Sequence, residues 1–488
     1  MKKTKKIITT LMMCSILSAG LLSSCQSKVE TSNKIYFWHT FGQTVQDELN
    51  KQIKSFEKLV KENEGVDVDI ELSFIGSYDE ILQQIKRGFA TGNTPTIAVA
   101  YPDHVSEYLG LEDFDEQYVY NLEKLFDDPK IGYGKNSYLG DDKDETDFVE
   151  SFFAESTNYL KKGAYSLPFM KSTEVLMYNK DIVEGILLPD YAEAKGLAIP
   201  NYKEFLANMS WDRFIDILEF VKKDMDGSEH KYGNNLISPL IYDSDENLLI
   251  SKLYQNEIPF LSVKDGKGSV DFNNPQAKEL VKRIKGYYDD GLLLTKGTNE
   301  GKYGSDNFTR GETLFTVGSS GGAGYNDPGS ASFKVDVVKV PYENDTPLYV
   351  SQGPTLTLLK SNGASDEVNA FRKEYGWKFL KYITNTVNNV DAAYLGSEGY
   401  VPVRQSSYKV DYYEEYLKNE DDDFLPKTAN CVINDIKGRY LTTPVFKGSS
   451  AARDNVGGIV TQVLMGNKTI DKAFDDAENN TKLAMGGK

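Results

Sequence analysis

The reactive side chains in this 488-residue chain are few and badly spaced for catalysis. The three histidines, His39, His104 and His230, are too scattered to form a spaced metal motif. Asp243-Ser244-Asp245-Glu246-Asn247 opens like a calcium loop, but Leu248 stands where the turn needs glycine and Tyr254 where the last glutamate belongs. The glycine-rich run from Gly318 to Gly324 lacks both the Gly-Lys-Ser/Thr ending of a phosphate loop and the glycine spacing of a dinucleotide fold. No Gly-x-Ser-x-Gly elbow is present. A glycosidase needs only two carboxylates flanking a bond, so 73 acidic residues leave that class open as a rival without marking a pair. Aromatics are abundant instead, with 31 Tyr and 24 Phe against 3 Trp. Tyrosine offers a ring to stack and a hydroxyl to bond, which suits a wet binding face.

The cysteines point to location rather than catalysis. Lys2, Lys3, Lys5 and Lys6 precede an apolar stretch from Ile7 to Leu22, which ends in Leu22-Ser23-Ser24-Cys25. A charged start, a short apolar stretch and a small-residue junction read as an export signal. The stretch is shorter than the ~20 residues a spanning helix needs. The segment resembles a bacterial lipoprotein signal. That resemblance implies removal of residues 1–24 and lipidation of Cys25, with palmitate among the acyl chains. The protein would then be tethered outside the cytoplasmic membrane by those chains. Polar residues 25–33 read as the tether. Cys431 is then left alone, so no intrachain disulfide is expected, and it reads as a small buried hydrophobe.

The net charge of −18 falls to −22 once the four leader lysines are gone. Such a field repels nucleic acid. It also opposes long-range capture of anions, although screening over ~8 Å leaves room for a local basic pocket. No second apolar run reaches spanning length.

Several elements are expected from periodicity. Lys34 to Trp38 reads as a buried strand. Val45, Leu49, Ile53, Phe56 and Val60 share a helical face. Val66 to Phe74 alternates as a strand, Tyr78 to Phe89 carries another helical face, and Thr96 to Ala100 is a short apolar strand. This β-α-β-α-β order predicts a parallel sheet with right-handed crossovers. Residues 111–160 read as acidic and loop-rich, with 141–147 a solvated insertion. A second α/β region follows. It has a strand at Val175 to Tyr178, a helix capped by Ser210, a helix opened by Asn274-Pro275, and strands at 313–317 and 333–340. Helices are expected at 368–382, 456–464 and 470–477.

The order of five segments resembles the family 1 extracellular solute-binding proteins, the capture subunits of ABC sugar importers. These segments are Phe37-Trp38-His39, Thr91 to Pro95, Leu167-Pro168-Phe169 with Ser172-Thr173 leading to Tyr178-Asn179-Lys180-Asp181, Phe308 to Gly322, and Gly399 to Arg404. The resemblance implies an α/β, two-lobed periplasmic-binding-protein-like (type II) fold with discontinuous lobes and a ligand cleft between them. Crossings are placed near Ser166, Val340 and Tyr394. Lobe 1 is expected from 34–165 and 342–392, and lobe 2 from 166–341 and 393–488. A permease partner, a monomeric state and the absence of a cofactor belong to the same expectation. Phe169 to Thr173, Ser319-Ser320-Gly321 and Gly353 are similar to the glycerol-3-phosphate-binding branch, with Lys171 where that branch has serine.

Within that family the expected ligand is a neutral mono- or oligosaccharide, with a phosphorylated polyol second. A sugar needs flat rings for its face and polar groups for its hydroxyl edge. Trp38, Tyr78, Tyr242 and Tyr400 are the candidate platforms, against ordinary core packing. Asp103 follows a strand end, where it either accepts sugar hydroxyls or caps a helix. His39, Ser172, Thr173, Ser319, Ser320 and Gly353 are carried over on the resemblance. Arg404 either bonds ligand oxygens or pins the lobes. Lys447 and Arg453 are the local anion candidates. An adhesin or structural lipoprotein is a third class, predicting a macromolecular partner.

Overall fold

Alternation along strand β1 (Lys34–His39) turns Ile35, Phe37 and His39 inward, and helix α1 (Gln43–Glu64) lays Leu49, Ile53, Phe56 and Val60 against them. The computed structural model describes residues 33–140, 143–329, 332–397, 399–419 and 423–486. The leader, Cys25 and all of the tether but Asn33 lie outside the described residues. Strand β2 (Asp69–Phe74), helix α2 (Tyr78–Thr91), strand β3 (Ile97–Ala100) and helix α3 (Pro102–Leu109) follow. β1 pairs in parallel with both β2 and β3, as helical returns require. A capping box starts α2: Ser77 accepts from the Glu80 backbone N–H, and the Glu80 carboxylate accepts from that of Ser77.

The chain adds β4 (Leu167–Pro168) to this sheet and then leaves it. The second region comprises β5 (Glu174–Asn179), α4 (Trp211–Asp226), β6 (Leu240–Tyr242), α5 (Asp245–Gln255), α6 (Pro275–Asp289), β7 (Leu293–Thr295), β8 (Phe315–Ser319) and β9 (Val335–Lys339). Its sheet runs β9-β5-β8-β6-β7. β5 is antiparallel to both neighbours, while β6 is parallel to β8 and β7. The chain then returns, and β10 (Thr355–Leu358) inserts antiparallel between β3 and β4. The first sheet is therefore β2-β1-β3-β10-β4. Helix α7 (Asp366–Ile383) packs on it, and α8 (Ser449–Leu464) and α9 (Ile470–Ala484) complete the second core.

Two separate hydrophobic cores result. Phe37, Phe56, Leu356, Trp377 and Phe379 belong to one, and Leu176, Phe214, Leu249, Phe315 and Val460 to the other. The first core also takes Ala392, Ala393, Val401 and Val403. Crossing segments lie close together. Lys171 bridges to Val401, Ser172 to Gln352, and Tyr349–Val350 pairs in parallel with Tyr440–Leu441. Gly353 has a φ of +101°, and a β-carbon there would run into the Met170 carbonyl oxygen. The acidic insertion is tied down where it is described: Asp147 accepts from the Ser406 hydroxyl at 2.6 Å, and the Asp144 carbonyl accepts from Arg404 at 2.8 Å. Among the described residues, no helix is long and apolar enough to cross a membrane.

Candidate functional site

A cavity of about 430 Å³ opens between the two cores. On one side stand the starts of α2 and α3, bringing Ser77, Tyr78, Asp79, Tyr101, Pro102, Asp103 and His104. On the other stand the start of α5, with Glu246 and Asn247, and the first turns of α8, with Ser450, Arg453 and Asp454. The floor comes from the crossing segments at Val350 to Gln352 and Leu441 to Val445. β3 ends at Ala100 and Pro102 starts α3 at once, so Tyr101 and Asp103 are delivered at a strand's carboxyl end, where open α/β sheets bind ligands.

The rings of Tyr78 and Tyr101 stack at 4.2 Å between centroids, with 30° between planes. Burial raises the hydroxyl pKa of both Tyr78 and Tyr101. Both are neutral phenols, able to donate as well as accept.

The walls are acidic. Asp79, Asp103, Glu155, Glu246 and Asp454 all line the cavity. Glu155 is ion-paired with the buried Lys171 behind it. The His104 Nε2 lies 3.8 Å from an Asp79 oxygen. Arg453 donates to the Asn247 side-chain oxygen at 2.6 Å. Asp454 is open to cleft water, yet the surrounding protein mass, followed by the fields of Asp79, Asp103 and Glu246, pushes its pKa up to about 6. Below the site, burial pushes Glu174 up to about 8, although the Tyr242 hydroxyl donates to it at 2.6 Å. Among the described residues, His104 Nδ1, Glu155 Oε1, Ser351 Oγ and Gln352 Oε1 have no partner. A stacked aromatic face ringed by acceptors and unpaired polar atoms suits a polyhydroxylated ligand. Among the described residues, no group of three or more His, Cys, Asp or Glu is arranged to hold a metal.

Three residues expected from sequence line this cavity: Tyr78, Asp103 and Arg453. A second set lies in the crossing segments and is occupied there. Thr173 donates through its hydroxyl to the Val350 carbonyl at 2.8 Å and through its backbone N–H to Ser320 Oγ at 3.2 Å. The Ser319 and Ser172 hydroxyls meet at 3.1 Å, and Gly353 permits the close crossing described above. Tyr400 rests against Gly321 and lines a separate pocket with Tyr394, Tyr413 and Tyr416.

Five further expected positions are corrected, since none of them lines the cavity. Trp38 packs half-buried on the first core. His39 is fully buried among Phe37, Phe41 and Phe74, its Nδ1 accepts from the Phe41 backbone, and burial lowers its pKa to about 4. Tyr242 stacks on Trp211 and donates to Glu174. Arg404 is buried, with its guanidinium 4.1 Å from the Phe148 ring centroid, and donates to the carbonyls of Thr384 and Asp144. Nε and Nη1 are thereby committed to backbone carbonyls away from the cavity. Lys447 packs its stem against Gly110 rather than lining the cavity.

Sequence reading missed Tyr101, Glu155, Glu246, Asn247 and Asp454. A signal existed for the α5 pair. Ser244 caps that helix by accepting from the Asn247 N–H, and Asp245 and Glu246 fill its first turn. The stretch that begins like a calcium loop is a helix start.

Comparison with known proteins agrees with this architecture. The family model described as bacterial extracellular solute-binding protein matches residues 51–420. The sn-glycerol-3-phosphate-binding periplasmic protein UgpB of Salmonella paratyphi A is 22% identical over 390 residues, covering 78% of this chain and 77% of that one. Among solved structures, UgpB of Mycobacterium tuberculosis in complex with glycerophosphocholine aligns with a TM-score of 0.64 at 16% identity, covering 93% of this chain and 98% of that one. The GacH receptor of Streptomyces glaucescens, solved unliganded and with acarbose, gives 0.63 at 16% identity over 93% and 98%. Maltose-bound MalE3 of T. maritima gives 0.63 at 15% identity over 92% and 99%. At these identities the structural likenesses establish the shared two-lobed fold.

Proposed function

The chain belongs to the bacterial extracellular solute-binding proteins, and from that premise we propose that it captures a mono- or oligosaccharide between its lobes and delivers it unaltered to the membrane subunits of an ABC importer. The observation that carries this reading is the Tyr78–Tyr101 stack facing a cavity rimmed by hydrogen-bond acceptors. Closure is favoured only by contacts absent from the open state, and the cavity's two walls, on α2–α3 and on α5–α8, supply them from opposite sides. Arg453 and the glycerol-3-phosphate-binding relatives support a polyol phosphate as the second reading. The surrounding carboxylates oppose it.

The same proposal includes a lipid anchor at Cys25, a monomeric chain and no catalytic step. It takes lobe 1 from 34–165 and 342–392 and lobe 2 from 166–341 and 393–488, with Leu167, Phe169, Met170 and the segment around Val401 and Val403 packed on the first core and Tyr349 and Val350 on the second.

A thermal-shift screen across saccharides, polyols and polyol phosphates tests the ligand class. A ligand at about 100 times its dissociation constant stabilises by ~2.7 kcal/mol. A shift with saccharides, together with a more compact scattering profile, supports the reading. A shift with glycerol 3-phosphate alone overturns it. New reducing ends after incubation with oligosaccharides would make the protein a hydrolase. Radiolabelled palmitate that enters the wild type but not Cys25→Ser tests the anchor.

A further inference from the structure

The cavity carries more negative charge than its own groups balance. With Glu155 paired to Lys171, the carboxylates of Asp79, Asp103, Glu246 and Asp454 remain. Among the described lining residues, Arg453 is the one permanent cation. Helices α2, α3, α5 and α8 start at the cavity, and each helix start supplies roughly half a positive charge. Together with Arg453 they leave the wall negative by about one charge.

This imbalance discriminates between ligands. A phosphate would add to the repulsion. A neutral sugar would strip water from the carboxylates without replacing their countercharge, and desolvating unpaired charge is costly. A protonated amine supplies both the charge and the donors. Two buried polar side chains lining the same cavity each keep one atom without a partner among the described residues. Glu155 is 7% exposed with Oε1 unpaired, and His104 is 4% exposed with Nδ1 unpaired.

Resting on the saccharide-capture reading, we propose that the solute is an amino sugar or an amine-bearing oligosaccharide. Its ring lies on the Tyr78–Tyr101 pair. Its ammonium sits among Asp103, Glu246 and Asp454, and Glu155 Oε1 accepts from the amine or an adjacent hydroxyl. The raised pKa of Asp454 comes first from burial and then from the fields of Asp79, Asp103 and Glu246, and a bound cation would relieve the second part.

Calorimetric titration of the mature chain tests the proposal. The probes are glucosamine, the β-1,4-linked glucosamine disaccharide, their N-acetylated forms and glucose. Amine forms are expected to bind about tenfold tighter than the acetylated forms at low salt. That preference should shrink severalfold between about 0.05 M and about 0.5 M salt. Asp454→Asn and Glu246→Gln should each reduce the preference by about threefold, with thermal melts confirming that both variants fold. Equal or tighter binding of the acetylated or neutral forms overturns this inference and leaves saccharide capture standing. Silence from every saccharide, with or without a response to glycerol 3-phosphate, removes both.

Discussion

Tyr78 and Tyr101 stack ring on ring, 4.2 Å between centroids, although one starts a helix after β2 and the other joins β3 to α3. Both lie beyond the carboxyl ends of strands in one parallel set, with β1 between them. Replacing either by alanine removes half of the platform and opens the cavity to water. Tyr78→Ala and Tyr101→Ala are each expected to weaken a confirmed saccharide about tenfold, or ~1.4 kcal/mol. Trp38→Ala, away from the cavity, should stay within about twofold. Titration of the three variants against one ligand checks the contrast.

Arg404 acts on stability. It holds Thr384 and Asp144 by hydrogen bonds, lies 3.6 Å from Asp147 and packs over Phe148. Arg404→Ala leaves those acceptors unpaired and is expected to cost about 2–4 kcal/mol. Denaturant unfolding should show a lower midpoint, while affinity measured where the variant is folded stays within about twofold.

Glu174 gives stability a pH dependence. Burial raises its folded pKa to about 8, against an unfolded value near 4.5. Between those values the folded state binds the proton and the unfolded state does not. Stability from this group is therefore fully present below pH ~4.5 and is lost as pH rises through ~8, at up to about 1.4 kcal/mol per pH unit. Glu174→Gln keeps the shape and should flatten the slope between about pH 5 and pH 8. Unfolding curves for both proteins across that window measure it; an unchanged slope would mean that Glu174 is ionised in the fold.

Gly353 sits where two crossing segments meet, with φ +101° and no room beside the Met170 carbonyl. Alanine there meets both a disfavoured backbone conformation and a backbone clash. Gly353→Ala is expected to cost about 2 kcal/mol or more. A melting temperature equal to wild type would show that the crossing relaxes freely.

Cys431 is buried, and burial raises its thiol pKa. Native protein should leave it unlabelled by a thiol reagent over the time in which denatured protein reacts fully. Rapid native labelling would place that thiol at the surface.

Much of the scaffold was legible because its signals are local. The 3.6-residue stripe of α1, the alternation around β2 and the Ser210 cap depend on residues a few positions apart, and all belong to described elements. The strands Leu240–Tyr242, Leu293–Thr295 and Thr355–Leu358 escaped because three or four residues are too few to show a period. Tyr78 and Asp103 could be nominated because each stands at an element end.

Sequence alone therefore determined the acidic body, the opening parallel sheet and the order of motifs carrying the family likeness. Only tertiary structure decided which groups share a cavity. Asp79, Glu155, Glu246 and Asp454 come from four separate parts of the chain and meet where two independently packed cores face each other. Their electrostatic coupling depends on distance through space, which no local pattern encodes. The same packing commits Arg404 Nε and Nη1 to the carbonyls of Thr384 and Asp144 while leaving Glu155 Oε1 without a partner among the described residues.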